Sequence, residues 1–239
     1  SLNLIEKQLQ PGPNGETTHN YQNAQSEHRF THAVISGDLP AFYRHGPLKS
    51  EPRNGYLKAD ETMRSEWQKR LRECGPAPYL GLCWRSGTLV TDHRKIAYLS
   101  LEELIAEIPT DRFTLINLQY GDPSDEIREL QAKTGITVHD FPDLNQTKEL
   151  DRVAALMSCL DLAVSPGTAA LALACSVGIP AIGLQKSYLF VGDGRDILFP
   201  NLYPVKPRSA PTIVPDRAQR MGEAIRYFLK HGKLPIRKS

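Results

Sequence analysis

The segment Ser165-Pro166-Gly167-Thr168-Ala169 stands where an apolar run, 160–164, gives way to a stretch of very small residues, 169–177. A strand that ends in such a turn and passes at once into a helix leaves the first amide N–H groups of that helix unbonded. Together with the helix dipole, those groups suit a phosphate. Gly167 lets the backbone approach a ligand closely, and Thr168 adds a hydroxyl donor. The same pattern also serves as an ordinary helix start, since strand-to-helix turns favour Gly and Thr as caps.

A second candidate begins at Gly81-Leu82-Cys83-Trp84 and continues into a loop holding Arg85, Ser86, Arg94 and Lys95. Ligands of open α/β sheets lie beyond the carboxyl ends of the strands. Cations in that place can neutralise a diphosphate, Arg bidentately and Lys as a point charge. The alternative is a solvated basic loop. A third candidate is Gln119-Tyr120 in the run Asn117-Leu118-Gln119-Tyr120-Gly121-Asp122, where an amide and a ring could meet a ribose or base. All three fall at one edge of one expected sheet, which joins them into a single site.

His139, Asp140 and Asp143 form the remaining polar cluster, and His93 lies beside Asp92. No second His, Ser or Cys stands at a spacing that would complete a triad or a metal site, so these read as loop polarity. No metal ligand set and no general base emerge.

The elements that must position these residues alternate from residue 78 onward. Apolar runs at 79–84, 113–118, 137–139, 160–164 and 179–184 read as strands. Helices are expected at 100–108, where Ser100 and Glu103 make a capping box, and at 126–133, 150–157, 169–177 and 217–230. Such alternation implies βαβ units, a parallel sheet and helices on both faces. Residues 60–73 place Met63, Trp67 and Leu71 on one helical face, and Gly75-Pro76 stops that helix. Residues 1–27 read as a loop, and 30–35 as a short β-like run. The expected division is therefore 1–77, a remnant of an N-terminal domain with a linker helix, and 78–239, a Rossmann-like domain with a closing helix.

Composition narrows the function classes. The 239 residues are 40% hydrophobic and 23% charged, with a formal net charge of +2. That balance implies no nucleic-acid partner. No apolar stretch is long enough to cross a membrane, because the longest, 160–184, is broken by Ser165-Pro166-Gly167, Gly178 and Pro180. The four cysteines form no CxxC pair. They read as reduced residues, and with no signal-peptide pattern at the N-terminus the expectation is a cytoplasmic protein.

Several stretches in order resemble the C-terminal portion of the bacterial tetratricopeptide-repeat-associated glycosyltransferases, relatives of the ADP-heptose–lipopolysaccharide heptosyltransferases. They are SGDLPAFYR at 36–44, NGYLKAD at 54–60, GLCWRSG at 81–87, LINLQYGD at 115–122, DRVAALMSCLDLAVSPGTAALALACSVGIPAIGL at 151–184 and LFPNLYP at 198–204. The resemblance implies the C-terminal half of a GT-B fold, with a nucleoside-diphosphate sugar as substrate and no cofactor or metal. It implies a diphosphate on Ser165, Gly167, Thr168 and Ala169, phosphate contacts from Arg85, Ser86, Arg94 and Lys95, and nucleoside contacts from Gln119 and Tyr120. It also implies a glycan or protein acceptor and a tetratricopeptide-repeat region in a longer parent.

Two positions depart from the pattern. Relatives commonly carry an acidic residue where Gly167 stands and a His where Ala172 stands. The first Rossmann domain, which brings the acceptor in this fold, is also largely missing. Two functions follow: a metal-independent glycosyltransferase whose turnover needs more than this chain, or a GT-B-like binding or scaffold domain without catalysis. An epimerase would share the architecture, but no acidic pair suits its elimination chemistry.

Overall fold

Parallel strands covered on both faces need apolar side chains pointing both ways, and six short segments of this chain meet that demand. A computed structural model describes residues 9–11, 17–19, 55–86, 98–184, 196, 198–205 and 213–235. The chain divides into two units, Ser1–Pro47 and Leu48–Ser239.

In the first unit, β1 (Leu9–Pro11) pairs antiparallel with β2 (Thr17–His19), Leu9 opposite His19 and Pro11 opposite Thr17. These residues read as loop in the sequence. Three-residue strands are too short to show alternation, and Pro and Gly mask them. The β-like run at 30–35 lies outside the described residues.

Among the described residues of the second unit, the first element is α1 (Glu61–Cys74), whose N-cap Asp60 accepts the amide of Met63 at 2.9 Å. There follow β3 (Tyr79–Leu82), α2 (Leu101–Ile105), β4 (Thr114–Asn117), α3 (Ser124–Thr134) and β5 (Val138–His139). The chain continues through α4 (Leu150–Met157), β6 (Leu162–Ser165), α5 (Ala169–Ser176), β7 (Ala181–Gly183), β8 (Leu202–Pro204) and α6 (Ile213–His231). The capping box expected at Ser100 and Glu103 is present, with both reciprocal bonds.

The six strands are all parallel and lie in the order β5-β4-β3-β6-β7-β8. Counted within this sheet, that is 3-2-1-4-5-6, the doubly wound Rossmann order. The chain reverses direction across the sheet between β3 and β6. Strand β8 carries no strand signal in the sequence; its three residues end in Pro204, a residue an edge strand tolerates.

Helices cover both faces. Leu80, Leu82, Leu115, Leu162, Val164 and Ile182 pack on one side with Leu101 and Leu104 of α2, Leu130 of α3, and Met221 and Ile225 of α6. Ile116, Ala163 and Ala181 face the other side with Trp67 and Leu71 of α1, Val153 and Leu156 of α4, and Leu171 and Ala174 of α5. On that second face Gly81 pairs in register with Ala163, and Ala163 with Ala181. A Cβ on Gly81 would lie 2.5 Å from Leu118 Cδ1 and 2.7 Å from Leu160 Cδ1. This row of minimal side chains lets the layer above lie close to the strands.

The residues leading into α1 are tied to the far end of α5. Tyr56 and Leu57 both donate their amides to Ser176 O, at 2.8 and 2.9 Å, and the Tyr56 hydroxyl meets Ser176 Oγ at 2.7 Å. Gly55 has φ of +83°, and a Cβ there would fall 2.5 Å from the Gly178 nitrogen. Only glycine fits that approach.

Candidate functional site

The reversal between β3 and β6 opens a crevice at the carboxyl ends of these neighbouring strands, where doubly wound sheets take ligands. Two of the expected segments leave the sheet there side by side. Cys83 donates its amide to Val164 O at 2.9 Å, and Cys83 Sγ comes within 4.0 Å of Thr168 Oγ1. The 81–86 segment and the 165–169 turn therefore share one rim.

At the second of these, Ser165 is buried, and its hydroxyl donates to Pro166 O at 2.8 Å and meets Thr168 Oγ1 at 3.0 Å. Thr168 is the N-cap of α5, yet its side chain caps no amide. The first helical bond runs from the Ala172 amide to Thr168 O. The amides of Ala169, Ala170 and Leu171 precede it, as at any helix start. Gly167 and Ala169 are exposed, so this end of the helix faces solvent.

Gln119, expected beside a nucleoside, lies beneath the crevice. It is wholly buried; its Oε1 accepts the amides of Trp84 and Arg85 at 3.1 and 2.9 Å, and its Nε2 donates to Tyr120 O at 2.9 Å. Asn117 holds the Gln119 amide at 2.7 Å and reaches Asp140 with its own Nδ2 at 2.7 Å. Gln119 thus shapes the turn after β3. Its neighbour Tyr120 is half-buried and donates its hydroxyl to Ser86 Oγ at 3.3 Å.

Arg85 is turned toward α3. Its Nε and Nη2 donate to Glu126 Oε2 at 2.9 and 2.6 Å, while Glu126 Oε1 also accepts the buried Trp84 indole N–H at 2.9 Å. Glu126 was not among the expected site residues; it stands 41 positions along the chain, too far for any local pattern to reveal. Arg94, Lys95 and His93 lie outside the described residues.

Burial sets the electrostatics of the sulfur and imidazole groups. The Cys83 thiol, under the rim, is pushed up to about 11, and that of Cys175 in α5 to about 12. Burial holds His139 below its ordinary value, so its ring is neutral at pH 7. Asp143, its partner in the sequence cluster, is bound to Arg70 and Arg152. Among the described residues, no group of His, Cys, Asp and Glu could hold a metal ion.

A groove of about 530 Å³ runs from the rim along α5, between it and α4. Ala169, Ala172 and Leu173 line one wall and Leu150, Val153 and Met157 the other, with Tyr120, Gln146 and Thr147 along its edge. The α4 spacing of i, i+3 and i+7 is visible in the sequence. That α4 and α5 leave space between them is a property of their packing, which no single stretch of sequence reveals.

No family model matches the chain. Protein FlbA of Caulobacter vibrioides is 31% identical to it over 153 residues, which is 64% of this chain and 25% of that protein. In fold, the chain is similar to E. coli ADP-heptose lps heptosyltransferase II, with a TM-score of 0.50 and 14% identity over 73% of this chain and 54% of that one. A second similar structure is the glycosyl transferase family 9 protein from Veillonella parvula DSM 2008, with a TM-score of 0.49 and 11% identity over 77% of this chain and 48% of that one. The chain thus spans a quarter of FlbA and about half of the heptosyltransferase. The fold is α/β, Rossmann-like and of the kind found in that glycosyltransferase. Among the described residues, no helix is long and apolar enough to cross a membrane.

Proposed function

We propose that the second unit is the donor-binding half of a GT-B glycosyltransferase, taking a nucleoside-diphosphate sugar. The observation that carries this reading is the continuity of the site. An apolar groove edged by Tyr120, Gln146 and Thr147 runs directly to the exposed start of α5, at the point where the strand order reverses. A nucleotide has the same two-part chemistry, a flat base with apolar faces joined to a polyanion. The base lies in the groove, and the diphosphate lies against residues 167–169.

In this reading the amides of α5 and its dipole stabilise charge that grows on the diphosphate as the bond to the sugar breaks. The reading assigns Arg94 and Lys95 to the same phosphates. Arg85 contributes less, since Glu126 already balances its charge. An acceptor, a glycan or a protein, and a tetratricopeptide-repeat region belong to a longer cytoplasmic parent in this proposal. Calorimetric titration of the full chain with ADP, UDP and GDP tests it. Binding of at least one is expected, and no heat from any of them removes the reading.

A second reading, a binding or scaffold domain without turnover, draws on Gly167 and Ala172 at the site and on the neutralised Arg85. Tight nucleotide binding without donor hydrolysis or transfer, across a broad donor panel, would favour it.

A further inference from the structure

Helix α1 comes before the sheet in the chain, yet its Arg70 reaches the loop that forms one edge of the groove. Arg70 Nη1 and Nη2 donate to the two carboxylate oxygens of Asp143, at 2.8 and 2.6 Å. Arg152, from α4, adds a bond of 3.1 Å to the same carboxylate and one of 3.2 Å to Asp143 O. The Arg70 guanidinium also lies 4.3 Å above the Trp67 ring and 4.7 Å above that of Phe141. Those two rings meet edge to face at 4.8 Å. A planar cation stacked on rings and bound bidentately has little freedom left.

From Asp143 the chain makes one tight turn into α4. Asn145 Oδ1 accepts the amides of Thr147 and Lys148, at 3.2 and 3.1 Å, and the Asn145 amide donates to Glu149 Oε2 at 2.7 Å. Gln146 and Thr147 leave this turn as groove lining, and Gln146 Nε2 reaches Gln119 O at 3.4 Å. Both residues thus leave a turn that the Asp143 clamp anchors on one side and Glu149 of the α4 entry on the other.

We infer that Arg70 and Asp143 are positioning residues for the nucleoside, holding the turn so that Gln146 and Thr147 flank a base in the groove. This rests on the nucleotide reading above. Neither residue lines the groove, so their influence passes through Gln146 and Thr147. The start of α5, which takes the phosphates, receives no bond from this clamp. The influence is therefore confined to the base and separable from the phosphate end.

The test is titration of the unaltered full chain, Arg70→Met and Asp143→Asn with ADP, UDP and GDP, with thermal unfolding of each protein alongside. Asp143→Asn keeps the side-chain shape but removes the charge and turns one of the two acceptor oxygens into a donor, so it breaks part of the clamp and covers the case that Arg70→Met folds poorly. Affinity for the preferred diphosphate should fall about tenfold in both variants, as expected for a misplaced contact. The other two diphosphates should change less than twofold, so that discrimination among bases shrinks. A merely structural role lowers all three affinities by one factor, and that result overturns the inference. So do unchanged affinities in both variants, or equal binding of all three bases by the unaltered chain. If the unaltered chain binds none of the three, the nucleotide reading itself fails, and this inference with it.

Discussion

Glu126 holds the guanidinium of Arg85 through two bonds to one carboxylate oxygen, at 2.9 and 2.6 Å, and draws it toward α3. The pair joins α3 to the loop that follows β3. A cation at a crevice rim would ordinarily be available to an anion; here a carboxylate competes for it.

On the donor-site proposal, Glu126→Gln should therefore raise affinity for a nucleoside diphosphate, by about three- to tenfold on the scale of a released, partly exposed ion pair. The glutamine oxygen can still accept the Trp84 indole, so the fold should persist. Calorimetric titration at low and moderate salt checks this. Weaker binding in the variant would mean that Arg85 serves the ligand only while oriented by Glu126.

Ala169→Pro probes the amides directly. Ala169 is the first residue of α5, and proline is well accepted there because its missing N–H has no helical partner. Thr168, at φ −119° and ψ 174°, already has the extended backbone favoured before proline. The variant should melt like the parent and bind nucleoside diphosphate about tenfold more weakly, the worth of one charge-assisted hydrogen bond. Unchanged affinity would place the phosphates elsewhere.

Ala172→Trp should fill the groove midway along α5, facing the α4 wall. Binding of nucleoside diphosphate is expected to drop more than about tenfold, since an indole occupies the space of the base. Equilibrium dialysis against radiolabelled nucleotide is a sufficient assay. Retained binding would exclude the groove as the nucleoside site.

Gly81→Ala tests the close layer. The added methyl would press on Leu118 and Leu160 at once, and overpacking of this kind costs about 1–3 kcal/mol. A lower urea midpoint with an unchanged slope is the expected result.

Acid should loosen the Asp143 clamp. The bonds from Arg70 hold this carboxyl at about 2, below its ordinary 3.8, so it is more acidic in the folded chain. Its stabilising effect is complete above the ordinary value and fades as pH falls from about 4 toward 2. Because Asp143 is 54% exposed, solvent screening keeps the size below about 1 kcal/mol. Urea midpoints measured from pH 6 to pH 2.5 should fall less steeply for Asp143→Asn than for the parent.

The sheet strands from β3 to β7 and their helices were legible because each carries a local signal: an apolar run, a cap, a stop. Helix α4 begins and ends where its pattern does. Strand β8, three residues closed by a proline, carried no such signal. The placement of the three candidate segments at one sheet edge was legible, but the direction of each side chain was not. Gln119 belongs to a polar loop in sequence and to a buried bracket in structure, because two amides from β3's exit converge on its oxygen. Glu126 and the groove arise from pairings between distant elements, which no single stretch encodes.

The row of Gly81, Ala163 and Ala181 has an evolutionary corollary. With Leu118 and Leu160 already pressed against Gly81, bulk cannot be added to the sheet behind this layer without disturbing it. Substitutions are therefore better tolerated along the groove, at Thr147 and Leu173, which line open space. Lineages descended from this sequence should vary at those positions while the row stays small.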